Sequence, residues 1–168
     1  QDQIGKIEGV SYDKASNTLT LDNVKRDEKL ITNVMGDDFK ILLKGDNSLK
    51  SIIVWGDGYG GNLTITGDGK LTLNSKKTEN TAITIQAEYT EGKVKIEKNV
   101  QMEMYAKEGY PIIEIVGANN SDKDKAVVID GKLTQNYEVE QHITEVTNNV
   151  YVVAKDSTAR CYFTKFEK

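Results

Sequence analysis

One cysteine, one histidine and two arginines are spread over 168 residues, and each scarcity removes a class of chemistry. Cys161 has no partner for an internal disulfide. With His142 as the lone imidazole there is no Cys/His set to hold zinc or to activate a thiol nucleophile. The two read as a packed thiol and an ordinary surface imidazole. Basic runs are missing as well: Lys+Arg 22 against Asp+Glu 26 leaves a formal charge of −4, scattered singly along the chain. A surface that tracks phosphates needs clustered cations, so nucleic acid is excluded as a partner. No apolar stretch approaches the roughly 20 residues that span a bilayer, the longest near Trp55 being Ile52-Ile53-Val54-Trp55, and membrane insertion is not expected. The chain opens Gln1-Asp2-Gln3 without Met or a targeting segment, as a mature product does after an export signal has been removed. The expected location is therefore secreted or at the cell surface.

What the chain has is repetition. The clearest unit is Leu63-Thr64-Ile65-Thr66-Gly67-Asp68-Gly69-Lys70-Leu71-Thr72-Leu73, an apolar alternation, a tight polar turn and a second apolar pair. Units beginning at Ile41 and Val94 match it in phase, and Val127-Val128-Ile129-Asp130-Gly131 is a weaker fourth. Aligned on Gly45, Gly67, Lys98 and Gly131, they are spaced by 22, 31 and 33 residues. A second series, ending at Gly36, Gly56, Ala87 and Gly117, advances by 20, 31 and 30. Two series that keep a common period predict an all-β right-handed parallel β-helix, a β-solenoid of about four to five rungs whose strands stack at roughly 4.8 Å. An antiparallel sandwich gives no reason for that shared period. Polar stretches such as Ser75–Asn80 read as loops inserted into a basic rung of about 20 residues.

The ends depart from the repeat. Residues 9–23 predict an N-terminal hairpin with Lys14 to Asn17 as its turn, residues 30–133 the rungs, and residues 134–168 an irregular C-terminal cap, all within one domain spanning 1–168. In the cap, Val139, Ile143, Val146 and Val150 fit helical spacing, whereas Tyr151-Val152-Val153 and Cys161-Tyr162-Phe163 look like strands. Nothing in the chain sets an oligomeric state.

Three stretches taken together, residues 10–23, 38–47 and 61–69, resemble the β-helical modules of secreted and surface proteins of anaerobic bacteria, several of which are described as carbohydrate-binding. The resemblance covers roughly residues 9–133 and rests on core and turn positions. It implies a fold and a neighbourhood of function, and it carries no functional residue over.

Outward residues of successive rungs stack into columns, and these are where such a fold meets a ligand. The phase predicts the columns Ile53, Thr84, Glu114 and Trp55, Gln86, Val116 in one series. In the other it predicts Leu42, Thr64, Lys95, Val128 and Lys44, Thr66, Glu97, Asp130. Trp55, the only tryptophan, precedes the glycine-rich Gly56–Gly61 and a second aromatic, Tyr59. Its ring offers an apolar face to a sugar while Asp57, Gln86 and Glu114 can bond hydroxyls. The competing reading packs Trp55 under its own loop. Glu97 and Asp130, one rung apart, bring two carboxylates to roughly 5 Å, a spacing that suits shared Ca²⁺ or a retaining glycosidase and equally suits a solvated charge ladder with Lys44 and Lys95.

These features point to a non-catalytic extracellular module that binds a polysaccharide or cell-surface glycan on an outward sheet face, without a cofactor, Ca²⁺ being the one ion with candidate ligands. A structural or adhesin-type spacer is the alternative from another class. A polysaccharide lyase is the second alternative, and it lacks arginine in its rungs, since Arg26 and Arg160 lie outside them.

Overall fold

Leu19, Ile41, Ile65, Ile96 and Ile129 are successive in-register neighbours across parallel strands, so one apolar column runs through the repeat. The computed structural model describes residues 6–33, 38–55, 61–86, 92–116, 126–130, 133–134, 137–143, 148–154 and 160–165. These are nearly all strand and irregular connection. In chain order the strands are β1 (Val10–Asp13), β2 (Thr18–Asp22), β3 (Lys29–Asn33), β4 (Phe39–Lys44), β5 (Asp46–Leu49), β6 (Ser51–Trp55), β7 (Gly61–Gly67), β8 (Lys70–Leu73) and β9 (Ile83–Gln86). They continue as β10 (Gly92–Ile96), β11 (Gln101–Tyr105), β12 (Ile113–Val116), β13 (Val127–Ile129), β14 (Leu133–Thr134), β15 (Tyr137–Ile143), β16 (Asn148–Ala154) and β17 (Arg160–Lys165).

Three sheets hold them. The first runs β1-β2-β4-β7-β10-β13, the second β14-β17-β11-β8-β5 and the third β15-β16-β12-β9-β6-β3. From β4 onward the chain visits first, second and third sheet in rotation, three times over, before entering β13. Each visit lies parallel to the one before it, as in β4 against β7 and β6 against β9. The expected all-β character and parallel sheets are thus what the chain forms.

Alternation decides which side chains meet. Ile52 and Val54 on β6, Ile83 and Ile85 on β9, and Ile113 and Ile115 on β12 are wholly buried in one apolar cluster. So are Ile65 and Ile96 from the first sheet and Leu71, Leu73 and Met104 from the second. Each such side chain contributes about 1.5–3 kcal/mol by leaving water, and β-branched residues suit the pleated surface they form. Gly67 shows what the turns demand: its φ is 102°, and a Cβ there would collide with the Leu43 carbonyl oxygen.

Buried asparagines, with Ser51 and Thr81, supply polar groups to the interior. Asn47, fully buried, accepts from the Val24 amide at 2.8 Å and donates to the carbonyls of Lys44 at 3.0 Å and Lys70 at 3.2 Å. One buried side chain thereby joins three levels of the stack.

The first-sheet columns need correction. Thr64 sits beside Lys40, and Leu42 beside Thr66, two residues from the expected register; Lys44 pairs with Asp22. Matching Gly45 to Gly67 by their turns caused the offset, since Gly67 lies opposite Leu43. A two-residue slip keeps every inward residue inward, so hydrophobic pattern alone is blind to it.

The ends are more regular than expected. β1 pairs antiparallel with β2 as the predicted hairpin. At the far end β16 joins β12, and β17 joins β11, both antiparallel, with β15 beside β16. The helical spacing of Val139, Ile143 and Val150 is overturned, because all three lie in strands, while Val146 falls outside the described residues. Residues four apart share a face in a strand as well as in a helix, so that spacing did not discriminate. Tyr151–Val153 and Cys161–Phe163 are strands, as read. Cys161 is the register partner of Met104.

Candidate functional site

β6, β9 and β12 bury Ile or Val at alternate positions, which turns the residues between them outward. Ile53, Thr84 and Glu114 form one outward row, and Trp55, Gln86 and Val116 the next. Both rows stand in the expected register. Trp55 is 44% exposed, and Ile31, in register with Ile53 on β3, is 58% exposed. The face therefore begins apolar at β3 and β6 and becomes polar across β9 and β12.

Beside the Ile53 row a cleft of about 340 Å³ is lined by Ser51, Thr81, Thr84 and Glu114, with Lys29 and Glu79 on its wall. Lys29 and Glu79 form an ion pair at 2.6 Å. Burial pushes the Glu114 carboxyl above its ordinary value of 4.5. Hydroxyls and a carboxylate thus line the cleft, and the Trp55 indole stands on the same sheet face outside it.

The structure brings Trp55, Gln86 and Glu114 onto one face. Asp57 and Tyr59 lie outside the described residues. Sequence reasoning missed Tyr151 and Asn149. Tyr151 is the register partner of Glu114, flanked by the buried Val150 and Val152, and so extends the same face, half-buried. The Asn149 amide donates to the Tyr151 hydroxyl at 3.1 Å. The signal was present in Val150-Tyr151-Val152, whose alternation turns Tyr151 outward once β16 is known to extend β12.

Glu97 and Asp130 sit on the outward side of the first sheet and engage different partners. The Thr66 hydroxyl donates to Glu97 at 3.0 Å, while Asp130 pairs with Lys95 at 3.6 Å. Of the charge ladder only the Lys95–Asp130 pair is formed, worth at most about 1 kcal/mol where exposed. Among the described residues no group of three or more metal-ligating side chains converges.

Comparison with family models, with curated proteins and with solved structures found no match to this chain.

Proposed function

We propose that this chain is a parallel β-helical, non-catalytic module of a secreted or cell-surface protein, and that it binds carbohydrate on the outward face of its third sheet. The β-helical reading is supported by the threefold rotation of the chain through the same sheets and by the unbroken inward columns. The binding reading is carried by one observation: Trp55 is exposed and stands in register with Gln86, next to the row that holds Glu114.

An indole face takes the C–H side of a sugar ring, and amide and carboxylate groups one strand away reach its hydroxyls. The non-catalytic reading is supported by Glu97 and Asp130, the expected carboxylate pair, each being engaged by its own neighbour.

A glycan array followed by isothermal titration of the hits tests this. Saturable binding abolished or weakened by Trp55→Ala is the expected result. An empty array favours the spacer reading, and release of unsaturated uronates from a pectin-like polymer overturns the non-catalytic one.

A further inference from the structure

Two hydroxyls hidden in the cleft beside β6 narrow the ligand further. Ser51 shares a strand face with Ile53 and Trp55, yet it is only 3% exposed, and Thr81, two residues before β9, is 8% exposed. Both line the cleft of about 340 Å³, beside Thr84 and Glu114. Among the described residues, none of these four side chains has a hydrogen bond or an ion pair. Polar groups withdrawn from bulk water and left unbonded by the chain gain from a ligand that bonds them.

Their chemistry selects the ligand. Each hydroxyl both donates and accepts, and the Glu114 carboxylate can accept from two adjacent hydroxyls at once. A sugar ring with free neighbouring hydroxyls offers that same mixture. An anionic ring does not suit the cleft, because Lys29, the cation on its wall, is held by Glu79 at 2.6 Å and leaves Glu114 without a counter-charge among the described residues.

Shape sets the binding mode. Trp55 stands four residues, or about 13 Å, along β6 from Ser51, the length of roughly two to three sugar rings. At the Ser51 end the way is barred: Lys29 is the register partner of Ser51, its ammonium is paired with Glu79, and Thr78, Glu79 and Asn80 of the Ser75–Asn80 insertion wall the cleft. A chain stacked on Trp55 and running down β6 terminates there.

Resting on the carbohydrate reading of this face, we propose that the cleft recognises a free end of a neutral oligosaccharide that runs along β6. The terminal ring lies among Ser51, Thr81, Thr84 and Glu114, and a ring one or two units further in stacks on Trp55.

Isothermal titration with β-1,4-glucose, β-1,4-mannose and β-1,3-glucose oligomers, each as trimer and hexamer, tests the proposal. In at least one series the trimer should match the hexamer within about threefold, since it already fills the cleft and reaches Trp55. On that trimer Ser51→Ala should weaken binding about fivefold with the melting temperature unchanged or raised, because the hydroxyl has no bond among the described residues to lose. Should that variant fail to fold, Thr84→Val, at a half-buried position, removes a second cleft hydroxyl and is expected to act alike. A hexamer that exceeds its trimer by more than about threefold, or parent affinity in the cleft variant, overturns end recognition and leaves the Trp55 platform standing. Array hits on other glycans with all three series unbound do the same. No binding to any series or to the array overturns both.

Discussion

The side-chain amide of Asn74 crosses one turn of the stack to donate to the Tyr105 carbonyl at 2.9 Å, and it donates to Glu79 within its own turn at 2.7 Å. Asn74 is buried, and its oxygen accepts from the Glu79 amide at 3.0 Å. A single side chain thus closes the Ser75–Asn80 insertion and ties it to the next level. Asn47 does the corresponding work one level earlier.

Asn47→Ala should destabilise the protein by about 3 kcal/mol, because the Val24 amide and two carbonyls lose a buried partner together. Urea denaturation followed by circular dichroism reads this directly. A loss below about 0.5 kcal/mol would mean that these groups find other partners.

Ile85 is wholly buried between Val54 and Ile115 in the inward column of the third sheet. Ile85→Asp places an unpaired charge there and should cost several kcal/mol, enough to unfold a domain of ordinary stability. Ile85→Val, which removes only one methylene, should cost about 0.5–1.5 kcal/mol and keep the fold. Parent-like melting of the Asp variant would contradict the inward column.

Trp55→Ala should weaken glycan binding by about 1–3 kcal/mol while shifting the melting temperature little, since the ring is already 44% exposed. Affinity and melting are measured on one preparation. Unchanged affinity removes Trp55 from the platform, and a large drop in melting temperature would make it a packing residue.

Glu114 gives a pH test with a defined sign. Burial raises its carboxyl above 4.5, so the folded state holds the proton more tightly than the unfolded chain. The stabilisation is complete below the unfolded value and is lost as pH rises through the folded one. Glu114→Gln should therefore raise stability near neutrality and flatten the pH dependence above the ordinary carboxylate range. Denaturant midpoints for parent and variant across that range decide it, and a variant that is less stable at neutral pH would reverse the sign.

Much of the third sheet is legible in the sequence. Ile52, Val54, Ile83, Ile85, Ile113 and Ile115 alternate without interruption, and that period leaves Trp55, Gln86 and Glu114 facing out. The first sheet was read two residues out of register at Leu42 and Lys44, because burial repeats every second residue and cannot count turns. Asn47 was opaque for a different reason: next to Gly45 and Asp46 it reads as turn chemistry, and only partners from distant levels reveal it as core. Tyr151 was hidden because its place on the face depends on β16 pairing with β12, a long-range contact that no local pattern announces.

The antiparallel strands at the two ends bear on how copies of this chain meet. A stack made only of parallel levels would present the same edge pattern that its own strands use, so a second molecule could continue it head to tail and grow into a filament. Here β1 reverses direction on β2, and β16 and β17 reverse on β12 and β11. The outermost strands β15 and β14 reverse once more on β16 and β17, so among the described strands β1 is the sheet edge that runs against the stack. Growth by simple translation would set β13 of one copy antiparallel to β1 of the next, so the parallel repeat is not continued in the first sheet.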